Sequence, residues 1–346
     1  MKFDLDVLKT YLMNLLTTPS PTGYTDNIRK YVITELEKLN VNYTVTNKGA
    51  ILVSFKGEDK SFDRVFSGHI DTLGAMVKEI KNNGALELTP VGGFMMTSID
   101  GENCTIETLD GNSYTGTIQT IKPSVHISGD DARDLKRIAP NMEVIIDEKV
   151  FSKEDTERLG INVGDFICFD SRATITEKGF VKSRHLDDKA SVAVLLTAIK
   201  YISEKNLKLP YNTHFFISTY EEVGHGAKAG LPENTKEFIA VDMGAPGPGQ
   251  NSSEYAVCIC AKDSSGPYDY DLRKKIVSLC KENNINYKID IYPHYGSDAS
   301  AAVNAGWNIR TALIGPGVFA SHAYERTHLD SLVETLKLVL KYSETK

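Results

Sequence analysis

Four stretches of this sequence end an apolar, strand-like run in a residue able to hold a metal ion. They are Val65-Phe66-Ser67-Gly68-His69-Ile70-Asp71, Phe215-Phe216-Ile217-Ser218-Thr219-Tyr220-Glu221-Glu222, Ile239-Ala240-Val241-Asp242 and Ala312-Leu313-Ile314-Gly315-Pro316-Gly317-Val318-Phe319-Ala320-Ser321-His322. A fifth, Arg184-His185-Leu186-Asp187-Asp188-Lys189-Ala190, opens a helix-patterned run, and Asp187 alone reads as a helix N-terminal acid. Taken singly, a histidine after a strand, a turn aspartate and a solvated glutamate pair are ordinary. Together they supply two imidazoles and three or four carboxylates. That is the donor set of two divalent first-row ions held ~3.5–4 Å apart by a bridging carboxylate. Ligands in open α/β sheets gather outside the carboxyl ends of the strands, so pieces far apart in the chain can share one crevice.

The doublet Glu221-Glu222 permits a division of labour. Adjacent side chains at a strand end point in different directions, so one carboxylate can bind metal while its neighbour faces a water. A general base must keep its lone pair free of the metal. In His69-Ile70-Asp71 the spacing lets the aspartate accept the second imidazole N–H, fixing the tautomer.

These residues need a scaffold, and the hydrophobic periodicity predicts one. Val7, Leu8, Tyr11, Leu12, Leu15 and Leu16 mark an amphipathic helix that ends before Pro19-Ser20-Pro21-Thr22-Gly23; Ile28, Val32, Ile33, Leu36 and Leu39 mark a second. Strands are expected at 51–55 and 65–67. After residue 171, helices are expected at 188–203, 268–283, 298–305 and 330–342, and strands at 213–219, 238–241, 287–291 and 311–314. From about 75 to 171 the pattern changes to short β-like runs at 85–89, 104–108, 115–121, 143–147 and 166–169, with frequent Gly, Asn and Asp and a brief helical piece at 152–159. The expected organisation is a mixed-sheet α/β/α domain made of 1–74 and 172–346, interrupted at 75–171 by a small β-barrel-like domain. The alternative is that these strands extend the main sheet.

Composition narrows the class. With 346 residues, 41% apolar and 25% charged, the chain is an ordinary globular sequence of about two domains. A net charge of −7 without a dense basic tract argues against a nucleic-acid or anionic-membrane partner. No apolar run reaches the ~18–20 residues of a membrane span, and the opening MKFDLDVLKTYLMNLL lacks a signal-peptide pattern, so the expected location is cytoplasmic. Cys104, Cys168, Cys258, Cys260 and Cys280 include no CxxC pair and read as buried small residues. Gly244-Ala245-Pro246-Gly247-Pro248-Gly249 has no phosphate-loop spacing.

The motifs SGHIDTLG, LDDKA, STYEEVG, VDMG and ASHAYERTH, in this order and at these separations, resemble those of the glutamyl or deblocking aminopeptidases. The best-known members of that family form tetrahedral particles. The resemblance covers essentially the whole chain. It implies that His69 and Asp242 hold one ion, Glu222 and His322 the other, and that Asp187 bridges them. Glu221 falls at the general base and Asp71 at the residue orienting His69. The ions would be zinc, with cobalt as the alternative, and the nucleophile a water bridging them. The inserted domain would pair subunits into dimers that build a dodecamer, and the substrates would be short peptides with a free N-terminus. No role is assigned to Asp188 or His185. Gly296-Ser297-Asp298-Ala299 resembles a Gly-Thr-Asp-Ala element of the family, with a helix cap as the plain reading.

Other readings are a di-metal carboxypeptidase or dipeptidase, an endoglucanase, or a non-catalytic assembly protein. The long insertion after His69 favours the aminopeptidase over the first. A glycosidase would need two carboxylates flanking a sugar bond and no metal. The third would be marked by loss of a ligand or the base, and none is missing.

Overall fold

The computed structural model describes residues 3–346, so the first two residues of the opening segment read above lie outside it. The chain divides into two compact units, residues 1–71 with 172–346, and residues 72–171. The first unit begins with the helix Leu5–Thr17, which Asp4 caps by accepting the N–H groups of Asp6 and Val7 at 3.0 and 3.4 Å. It buries Leu8, Leu12, Leu15 and Leu16. It stops just before Pro19, whose ring disfavours helical geometry in the preceding residue. The helix Asp26–Lys38 buries Ile28, Val32 and Leu36. Strands β1 (Tyr43–Val45), β2 (Ile51–Phe55) and β3 (Asp59–His69) follow.

In the second unit, β4 (Gly74–Ile80), β5 (Leu86–Val91), β6 (Asn103–Glu107), β7 (Ser113–Thr120), β8 (Met142–Ile146) and β9 (Phe166–Phe169) form a closed antiparallel barrel in the order β4-β5-β8-β7-β6-β9. These strands pair only with one another, so they do not extend the main sheet. Closure satisfies the hydrogen bonds that an open sheet leaves at its edges. Val77, Leu88, Ile106, Ile118, Val144 and Ile167 fill the interior. Gly116 lets the strands close: a Cβ there would meet Ile145 O at 2.8 Å.

Returning to the first unit, the chain adds β10 (Thr174–Ile175), β11 (Phe180–Ser183), β12 (Tyr211–Ser218), β13 (Thr235–Val241), β14 (Val257–Asp263), β15 (Gly266–Pro267), β16 (Tyr287–Ile291), β17 (Arg310–Pro316) and β18 (Glu325–His328). The main sheet runs β1-β2-β12-β3-β13-β17-β14-β15, with β16 beside β14. Strands β12, β3, β13 and β17 are parallel neighbours, while β14 runs antiparallel to β17. Alternate residues divide between two cores, as a period of two requires. Phe66, Phe215, Ile217, Ile239 and Val241 join the core containing the helices Leu5–Thr17, Leu186–Lys205 and Leu329–Ser343. Val65, Phe216, Phe238 and Ala240 join the core of the helix Asp298–Asn304. Each fully buried side chain of this size contributes roughly 1.5–3 kcal/mol. The mixed-sheet α/β/α fold with an inserted barrel is thus the observed architecture.

Strands β1, β4, β14 and β15 are absent from the expected set, and two further differences are local. Strands β10, β11 and β18 form a separate three-stranded sheet, too short to show a period in sequence. The helix expected from 188 has Asp187 and Asp188 in non-helical conformations at its start, joined by a cis peptide bond. All five cysteines are buried and none forms a disulfide.

Candidate metal centre

The carboxyl ends of β3, β12, β13 and β17 lie side by side because these strands are adjacent and parallel. Strand β3 ends at His69, and Asp242 directly follows β13. The turn opening the helix Leu186–Lys205 brings in Asp187, and the loop after β17 brings in His322, whose φ of 64° is left-handed. Asp187 does not behave as a helix cap. Its Oδ1 lies 3.3 Å from His69 Nε2 and its Oδ2 lies 3.3 Å from His322 Nε2. Ser321 Oγ donates to Oδ2 at 3.0 Å. Donor atoms of His69, Asp187 and Asp242 lie within 4.8 Å of one another, and all three residues are buried.

The doublet does not sit on a strand end. Strand β12 stops at Ser218, and Glu221–Val223 form a single 3-10 turn. Consecutive residues in that turn still point apart: Glu221 Oε2 lies 3.6 Å from His69 Nε2, and Glu222 Oε2 lies 3.6 Å from His322 Nε2. The Glu222 carboxylate is the more enclosed, at 3% exposure against 15% for Glu221.

Asp71 works differently from the expected imidazole acceptor. His69 Nδ1 lies 2.9 Å from the main-chain carbonyl of Asp71, and the Asp71 carboxylate is 3.6 Å away. That carboxylate instead accepts the N–H groups of Glu221 and Glu222 at 3.2 and 3.3 Å, and the Thr22 hydroxyl at 2.6 Å. It therefore holds the turn that carries the doublet.

Supporting residues surround the cluster. Asp188 Oδ2 accepts the His69 N–H at 3.2 Å. Glu325, which sequence reasoning quoted within a motif but gave no role, accepts the N–H of Asp187 at 3.1 Å and that of His322 at 2.9 Å. Ser297 is the cap of the helix Asp298–Asn304, which frees Asp298 for another task. The Asp298 carboxylate accepts Ser67 Oγ at 3.1 Å, Ser218 Oγ at 2.5 Å and Ala227 N at 2.8 Å, tying β3 and β12 to the segment after the doublet. A run of small and polar residues around these acids is the only trace such contacts leave in sequence. His185 precedes the helix in a left-handed conformation.

The electrostatics fit a cation. Burial, then Asp187, pushes Glu222 up to about 8 and Asp242 up to about 7. Burial also raises Glu221 well above the carboxylate range, with Asp242, Asp298 and Glu222 adding to it. Burial opposes the His69 imidazolium, yet the Asp187 and Asp71 side chains hold its pKa well above the ordinary value. Glu222 Oε1 and Asp188 Oδ1 are buried without a hydrogen-bond partner. Crowded carboxylates with an orphaned oxygen and two imidazole nitrogens among them are what a divalent ion would relieve. A cavity of about 810 Å³ opens onto this cluster.

A mixed α/β sheet with imidazoles and carboxylates gathered at its strand ends offers a donor set that could hold metal. The chain belongs to the M42 glutamyl aminopeptidase family, whose sequence model matches residues 49–338. Its activity is that of an aminopeptidase, a hydrolase. It is 51% identical over 334 residues to the putative aminopeptidase YhfE of Bacillus subtilis, covering 96% of each chain. It is 23% identical to the lysyl aminopeptidase of Pyrococcus furiosus over 67% of this chain and 65% of that one. Among solved structures, the TET1 peptidase of Pyrococcus horikoshii superposes with a TM-score of 0.85 at 26% identity, covering 98% of this chain and all of the other. That protein is described as assembling into a tetrahedron or a large octahedral shell. Among the described residues, no helix is long and apolar enough to cross a membrane.

Proposed function

We propose that the chain is a dinuclear metal-dependent aminopeptidase that removes the first residue of short peptides with a free N-terminus. The observation carrying this is the placement of Asp187, whose two oxygens each lie 3.3 Å from a different imidazole. In this reading His69 and Asp242 hold one ion, Glu222 and His322 hold the other, and Asp187 spans both. Two divalent ions, zinc with cobalt as the alternative, would supply Lewis acidity and lower the pKa of water between them.

The chain's own groups do the rest. Glu221 takes the proton of the attacking water and delivers it to the departing amine. Its partial exposure toward the cavity and its separation from the ligand role of Glu222 support this assignment. Asp71 keeps both carboxylates in place by accepting their main-chain N–H groups. The carboxylates around the cluster receive the substrate's α-ammonium, which sets the distance from the chain end to the reacting carbonyl. The barrel unit pairs subunits into a homo-oligomer, up to a dodecamer, working in the cytoplasm; the assemblies described for the structural relatives support the oligomer.

The test compares a short peptide with its N-acetylated twin, following products by mass spectrometry. Stepwise shortening of the free peptide alone is the expected outcome. Cleavage from the carboxyl end would point to the carboxypeptidase reading, and removal of the acetylated residue would mean that the amine is not the anchor.

A further inference from the structure

We propose that the cavity beside the cluster receives the side chain of the substrate's first residue and selects an uncharged one, apolar or aromatic, over an acidic or a basic one; this rests on the aminopeptidase reading above. Asp187, Glu222, Asp242 and His322 form one end of the cavity. A first residue with its carbonyl at that end has this space for its side chain.

The opposite wall carries hydroxyl groups whose protons are already placed within the protein. Ser264 Oγ donates to Tyr295 O at 2.5 Å, Ser265 Oγ to Asp263 Oδ1 at 2.5 Å, Ser300 Oγ to Ser297 O at 2.8 Å, and Tyr295 OH to Met243 O at 2.8 Å. Among the described residues, no lysine or arginine lines the cavity, and outside the cluster no aspartate or glutamate does. Asp263, behind the wall, is fully buried and occupied by Ser265 and by the Tyr268 hydroxyl at 2.8 Å, so it cannot meet an incoming ammonium. His294, the lining side chain outside the cluster that can carry positive charge, is solvent-exposed, where a charge pair contributes little. Ala245, Pro246 and Pro293, none of them buried, add apolar surface. An acidic or basic side chain entering here gives up water without meeting an opposite charge on the wall, whereas an apolar one gains contact.

The measurement is kcat/KM of the metal-loaded enzyme for leucyl, methionyl, phenylalanyl, glutamyl and lysyl 4-nitroanilides. The three uncharged substrates should exceed the other two by at least about 10-fold. A higher value for the glutamyl or lysyl substrate overturns this proposal and leaves the aminopeptidase reading standing. No hydrolysis of any of the five by protein shown to hold metal overturns both. A second variant keeps the pocket assignment open to refutation: Asn304→Lys places a cation on the lining, at the last residue of the helix Asp298–Asn304. It should raise the glutamyl-to-leucyl ratio by about 2–5-fold, the size of one exposed charge pair. An unchanged ratio with normal metal content means the side chain lies elsewhere. As a readout without turnover, free leucine should raise the Tm of the metal-loaded protein more than free glutamate does; the reverse order overturns the proposal.

Discussion

Glu325 accepts the main-chain N–H of Asp187 at 3.1 Å through one carboxylate oxygen and that of His322 at 2.9 Å through the other. One buried side chain thus clamps two segments more than 130 residues apart, each bearing a proposed metal ligand. Burial, then the Asp187 charge, pushes Glu325 up to about 8.

Replacing Glu325 with Ala leaves two N–H groups without acceptors, each worth about 1–3 kcal/mol when buried. The expected outcome is a ~10–100-fold loss of zinc affinity, measured by competition with a chelator, with the far-UV circular dichroism retained. Wild-type affinity in this variant would remove the positioning role.

The doublet separates base from ligand. Glu221→Gln keeps size but cannot take a proton, so turnover should fall ~10²–10⁴-fold while metal content survives. Glu222→Gln should lose metal first. If elemental analysis gives the opposite pattern, the two roles must be exchanged.

Asp187→Ala removes the spanning carboxylate and should cost both ions, from two per chain in the proposed wild type to none. Retention of one ion at full occupancy would show that the two sites fill independently.

The barrel unit exposes Leu109, Ile127 and Phe151 at 88%, 87% and 82%, apolar side chains available to a contact between subunits. Sedimentation of the wild type at micromolar concentration should show an oligomer, and Ile127→Asp with Phe151→Asp should give smaller species. A monomeric wild type would end the dimerisation proposal.

His214 predicts a pH effect on stability away from the metal centre. Burial lowers its pKa below 6.5, against the pull of Asp63. The unfolded chain therefore binds more protons than the folded one just below pH 6.5. Stability should fall as pH drops from the unfolded value through the depressed folded one. Chemical denaturation of His214→Gln should show a shallower loss across that window; an identical slope would mean that other groups carry it.

Much of the scaffold was legible because a sheet with both faces covered writes its strands as short apolar runs, such as Phe215-Phe216-Ile217 and Ile239-Ala240-Val241. The helix burying Leu8, Leu12, Leu15 and Leu16 shows its period equally plainly. Strands β10, β11 and β18 are two to four residues long and carry no such signal. The 3-10 turn of the doublet was hidden for a related reason: three residues cannot display a period.

The sequence by itself determined that His69, Asp242, His322 and the Glu221-Glu222 doublet stand at the ends of apolar runs and Asp187 at a helix start, a set of two imidazoles and several carboxylates able to hold metal. Hydrophobic period and side-chain chemistry are local properties, readable one segment at a time. Only the tertiary structure decided which atoms meet. The order β12-β3-β13-β17 puts four strand ends side by side, and with the turn that opens the helix Leu186–Lys205 it aims the two Asp187 oxygens at separate imidazoles. It also turned the Asp71 carboxylate from His69 to the N–H groups of Glu221 and Glu222, and gave Glu325 and Asp298 partners no spacing rule would name. Those contacts join residues 71 to 151 positions apart, and a distance across a sheet is set by strand order and register, which no single segment encodes.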